Sequence, residues 1–112
     1  MANETQEIKI NVKLDANKVP EKISWEASEG AGTQDCGAAL MAIWDRKENA
    51  ALRIDLWDKE FTMDEMKMLV HQTVLTLADS YERATSDKKL AGDMRDFGHY
   101  FAVESKLVNE SK

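Results

Sequence analysis

One cysteine, one proline and two histidines are all that these 112 residues hold of the types that most often mark cross-links, kinks and catalysis. Cys36 alone cannot close an intramolecular disulfide, and without further ligands it cannot build a zinc site. Five glycines and the single proline exclude a fibrous or low-complexity chain. Basic residues are also in deficit, with 15 Lys and Arg against 21 Asp and Glu, for a net charge of −6. A surface of that sign repels phosphate, so nucleic acid is excluded as an expected partner and anionic membranes are disfavoured. No apolar run approaches the roughly 20 residues that span a bilayer, and no direct membrane insertion is expected. The opening Met1-Ala-Asn-Glu-Thr-Gln-Glu7 lacks the basic start and apolar stretch of a secretory signal, which makes the cytoplasm the expected location. The chain as a whole is 43% apolar and 32% charged, enough at this length for one core and too little for two.

Organisation emerges from hydrophobic period. Residues 1–6 read as a disordered lead-in, 7–106 as a single α+β domain and 107–112 as a polar tail. Ile8, Ile10, Val12 and Leu14 alternate with polar residues, as do Ile23, Trp25 and Ala27, and the turn chemistry of Asp15–Pro20 joins them as a hairpin. Ser28–Gly37, with three glycines, reads as a loop with a helical turn capped by Thr33. Ala38–Trp44 is apolar on both faces, which fits a buried helix or a central strand. The next residues favour strand: a turn at Asp45–Asn49, then Leu52, Ile54 and Leu56 alternating with Arg53, Asp55 and Trp57. The period then lengthens to 3.6. Thr62-Met-Asp-Glu65 is a capping box opening a helix whose stripe is Met66, Leu69, Val70, Thr73, Leu77 and Tyr81, ending near Arg83. Ser86 or Asp87 caps a second helix with the stripe Leu90, Met94, Phe97 and Phe101. The expected fold is therefore α+β: a four-stranded antiparallel β-meander of two hairpins, followed by two α-helices packed on one face.

No constellation points to catalysis, a metal or a cofactor. Asp93, Asp96 and His99 would spread across about 120° of a helix and not converge on one ion. His71 flanks a buried stripe, and neither histidine has a nucleophile beside it in a supporting context. Asp35 next to Cys36 disfavours the thiolate a reactive cysteine needs. Gly30, Gly32 and Gly37 match no phosphate-cradling pattern. Asp45, Asp55 and Asp58 read as turn and strand-edge carboxylates.

Spare apolar surface is the informative feature. With Leu40, Ala42 and Trp44 turned toward the helices, Met41, Ile43 and Trp57 are expected on the other side of the sheet, where nothing in the chain is left to cover them. Met68 and Leu75 point nearly opposite the first helix's stripe and stay open unless the second helix covers them. These five residues form the expected interaction surface, for a second copy or another protein.

Trp44-Asp45, Leu52-Arg-Ile-Asp-Leu-Trp57, Asp64-Glu-Met66, His71-Gln-Thr73 and Arg83-Ala-Thr85 resemble the gliding motility-associated protein GldC family. Val19-Pro-Glu-Lys-Ile-Ser-Trp25 and the ending Met94…Phe97…Tyr100-Phe101 fit the same pattern, so the similarity spans roughly residues 7–104. The resemblance implies a small, soluble accessory to gliding, in which an envelope motor linked to secretion moves surface adhesins. It carries over no catalytic or ligand residue. The expected function is thus a non-enzymatic cytoplasmic accessory protein acting through protein–protein contacts, with a partner in the gliding or secretion machinery. The alternatives are a secretion-chaperone-like adaptor, or a domain binding a small ligand between sheet and helices.

Overall fold

The computed structural model describes residues 4–30 and 32–108. The chain divides into two compact units, Met1–Phe61 and Thr62–Lys112. The lead-in expected over 1–6 falls partly outside the described residues, as does most of the 107–112 tail.

The first unit holds five strands: β1 (Ile8–Leu14), β2 (Pro20–Ala27), β3 (Gln34–Cys36), β4 (Ala38–Asp45) and β5 (Ala50–Trp57). They form two antiparallel sheets, β1-β2-β3 and β4-β5. The single four-stranded meander is therefore corrected on two points. Gln34–Cys36 is a strand rather than a capped helical turn, and it pairs with Ile23–Trp25 of β2. The ladder then breaks at Gly37, between β3 and β4. A Cβ on Gly37 would lie 2.9 Å from Cδ1 of Phe61, so the aromatic ring occupies the space a side chain would need.

Both hairpin turns rest on an aspartate that takes over backbone donors. Asp15 Oδ1 accepts from the amides of Asn17 (2.8 Å) and Val19 (3.0 Å), and Lys18 adopts φ 65°. Asp45 Oδ1 accepts from the amides of Lys47 (2.9 Å) and Glu48 (3.2 Å), and Asn49 adopts φ 52°. In β1–β2, Ile10 opposes Trp25 and Val12 opposes Ile23, while Lys9, Asn11 and Lys13 oppose Glu26, Ser24 and Lys22. One face of that hairpin is apolar and the other polar, as the alternation predicts. Ile23 is fully buried.

The second unit is a helical hairpin of α1 (Met63–Thr85) and α2 (Lys88–Glu104). The capping box is present: Thr62 Oγ1 accepts from the Glu65 amide at 3.0 Å, and Glu65 Oε1 accepts from the Thr62 amide at 3.0 Å. Ser86, at φ 62°, ends α1, and Asp87 caps α2 by accepting from the Leu90 amide at 3.0 Å. The other Asp87 oxygen accepts from the Tyr81 hydroxyl at 2.9 Å.

The seam between the helices is made of small residues. Ala78 on α1 and Ala91, Gly98 and Ala102 on α2 are the buried positions. A Cβ on Gly98 would sit 2.7 Å from Leu75 Cδ2, so Leu75 packs directly on the glycine backbone. Arg95 bridges Asp79 (2.8 Å) and Glu82 (2.9 Å) across the seam. The period of Leu90, Met94, Phe97 and Phe101 predicts that they form the buried face of α2. At 100° per residue, however, that stripe lies about a quarter-turn from the small-residue stripe. Leu90 and Phe97 are accordingly half open to solvent.

Candidate interaction surface

In β4–β5 the register decides which side chains share a face. Met41 opposes Ile54 and Ile43 opposes Leu52, whereas Ala38 opposes Trp57 and Trp44 opposes Ala51. One face thus carries Ala39, Met41, Ile43, Leu52, Ile54 and Leu56 and has no charged residue apart from Asp45 at its turn end. The other carries Ala38, Leu40, Ala42, Trp44 and Trp57 around one ion pair, Arg53–Asp55, at 2.7 Å. Trp57 therefore lies on the face opposite Met41 and Ile43, which corrects the expectation that the three lie together. Both faces are apolar all the same, unlike those of β1–β2. Trp44 (60%), Leu52 (52%), Trp57 (50%) and Ile43 (48%) are exposed well beyond what a packed core leaves.

Of the two α1 residues on the expected surface, Met68 is exposed and Leu75 is not available. The latter is taken up by its contact with Gly98. The helical hairpin instead opens an apolar groove of about 550 Å³, lined by Val74, Leu77, Tyr81, Leu90, Met94 and Phe97 with Asp93 at its margin. Leu77, Leu90, Phe97 and Tyr100 are all at least half exposed. Hydrophobic period alone puts the first three in the core stripes. The signal that points the other way is the spacing of Ala91, Gly98 and Ala102, seven and four apart, on one helical face.

The first unit has a groove of its own, about 680 Å³. Val12, Leu14, Val19, Pro20, Leu56, Trp57 and Phe61 line it, with Lys18, Asp55, Asp58 and Lys59 among them. Lys59 Nζ donates to Asp15 Oδ2 at 2.8 Å and ties the first hairpin turn to the segment after β5. That hydrogen bond, with the Val19 and Asn17 amides, brings the Asp15 carboxyl down to about 2.

Cys36 is half-buried, and burial, then the charges of Asp58 and Asp35, push its thiol up, away from the thiolate. His99 is exposed and His71 half-buried. Among the described residues no group of three or more His, Cys, Asp or Glu could hold a metal ion. No described helix is long and apolar enough to cross a membrane.

A family model described as gliding motility-associated protein GldC-like matches residues 20–107. No curated protein and no solved structure matches the chain.

Proposed function

Since the chain belongs to the gliding motility-associated GldC-like family, we propose that it serves gliding as a non-enzymatic accessory protein, working in the cytoplasm through protein–protein contacts. The observation that carries this reading is the β4–β5 hairpin, apolar on both faces with Ile43, Trp44, Leu52 and Trp57 open to solvent. Side chains of this size burden a soluble protein unless something covers them, and clustered apolar exposure marks interaction surfaces. The exposed side of the helical hairpin adds a second such surface. A protein partner satisfies both without asking for a reactive group.

Removing the protein from its host should slow or abolish spreading on a surface while leaving growth in liquid unchanged, and supplying the chain in trans should restore it. Fractionation of the same cells tests the location. Normal spreading without the protein would overturn the motility role, and recovery in the membrane or periplasmic fraction would overturn the cytoplasmic one.

The groove of the first unit favours a second reading, an adaptor that holds an extended client segment. Apolar pockets for alternate side chains beside an open sheet edge suit strand addition. A client would raise the melting temperature of the chain by an amount that keeps growing with the logarithm of its concentration above Kd.

A further inference from the structure

Among the described residues, β5 is bonded to β4 and to no other strand, so one edge of it is open. The ladder dictates which backbone groups are presented there. The Asp58 amide donates to the Gly37 carbonyl at 2.9 Å, continuing the β4–β5 register by one pair. Hydrogen-bonded and non-bonded pairs alternate along an antiparallel ladder. Leu52, Ile54 and Leu56 therefore turn their amides and carbonyls toward β4, while Ala51, Arg53, Asp55 and Trp57 turn theirs toward the open edge.

We propose that this edge pairs antiparallel with β5 of a second copy, in the register that sets Ile54 against Ile54 and Arg53 against Asp55 of the other copy. The register is singled out by stereochemistry and charge. Only even shifts bring edge-facing residues of both copies together, since a shift of one would also flip every side chain to the other face. Centred on Ile54, the pairing opposes Arg53 to Asp55 twice, and Leu52 to Leu56 twice. Centred on Arg53 it would set two guanidiniums directly opposite each other, and centred on Asp55 two carboxylates. Like charges in directly opposed positions destabilise a ladder and opposite ones stabilise it. The same pairing turns a two-stranded ribbon, marginal by itself, into a sheet of four strands. It also extends the apolar face of Met41, Ile43, Leu52, Ile54 and Leu56 across both copies. The inference goes beyond the proposed function and does not depend on it: the chain could pair with itself whether or not it serves motility.

Sedimentation equilibrium of the full chain tests it. The wild type should dimerise, and Arg53→Asp or Asp55→Arg alone should weaken the dimer about tenfold or more, because each sets like charges opposite each other at two symmetric positions. Mixing the two single variants should restore the dimer as a one-to-one heterodimer. In that mixture every cross-copy pair is again opposite in charge, although neither chain has its internal Arg53–Asp55 ion pair. As a second measurement, Ile54→Cys in a Cys36→Ala background should cross-link to a disulfide dimer on mild oxidation. Non-bonded antiparallel pairs hold their Cα atoms about 4.5 Å apart, within disulfide reach. A wild type that stays monomeric up to roughly 1 mM, single variants that dimerise as well as the wild type, a mixture that stays monomeric, or failure of the Ile54→Cys variant to cross-link would each overturn the proposal.

Discussion

Replacing Gly98 by alanine tests the small-residue seam, because two opposing effects meet at that position. Alanine in a helix interior is favoured over glycine by about 1 kcal/mol. Its Cβ, however, would lie 2.7 Å from Leu75 Cδ2, well inside the 3.5–4.0 Å of a relaxed carbon–carbon contact, whereas Val74 Cγ1 at 3.6 Å can stay in place. Leu75 must therefore withdraw by about 1 Å or change rotamer inside the seam, and overpacking of this kind costs about 1–3 kcal/mol. The expected net effect of Gly98→Ala is a loss of roughly 1 kcal/mol. In a Leu75→Ala background the obstructing atom is gone, only the helix preference remains, and the same substitution should stabilise by about 1 kcal/mol. The sign reverses between backgrounds, a coupling of about 2 kcal/mol that lies within the range found for residues in contact. Urea denaturation of the four proteins, followed by far-ultraviolet circular dichroism, measures it. If Gly98→Ala stabilises both backgrounds equally, Gly98 is not in the seam. The large stripe of α2 would then face α1, and the groove beside it would not exist as described.

Other expected outcomes rest on single contacts. Gly37→Ala should cost about 1–3 kcal/mol in urea denaturation, because the new Cβ meets the Phe61 ring at 2.9 Å, and Phe61→Leu should relieve most of that cost. Thr62→Ala should cost about 1 kcal/mol by removing the acceptor for the Glu65 amide. Asp15 is lowered in the folded chain from 3.8 to about 2. Its contribution to stability is therefore present above pH 3.8 and lost as the pH falls through 2. An NMR titration should find its midpoint near 2, and Lys59→Met should move that midpoint upward. A midpoint near 3.8 in the wild type would contradict the Asp15–Lys59 hydrogen bond.

How much could be read from the sequence depended on whether a feature is local. The capping box Thr62/Glu65, the aspartate turns at Asp15 and Asp45 and the alternation of Ile8–Leu14 are each complete within a few residues, and all appear where the pattern puts them. Three features are not local. Gln34–Cys36 is too short and polar to show a period, and it becomes a strand only because β2 lies beside it. The face taken by Trp57 depends on pairing parity across the Asp45–Asn49 turn. Each strand's alternation is clear, but one residue more or less in the turn swaps the faces, and the register Asp45–Ala50 places Trp57 with Leu40 and Trp44. On α2 the largest apolar residues make the most visible stripe, while the buried positions are held by the smallest. Gly98 admits Leu75 where a bulkier residue would hold the helices apart. The two-sided apolar character of β4–β5 is legible throughout, because it needs only the composition of Ala38–Trp44 and Leu52–Trp57.

The most direct measurement is surface spreading by a deletion strain that carries the chain with Ile43→Lys or Trp44→Glu, one substitution on each face of β4–β5. Both variants should be present at normal abundance with a near-normal melting temperature, and at least one should fail to restore gliding. If both fold and both restore gliding in full, these exposed side chains serve no partner.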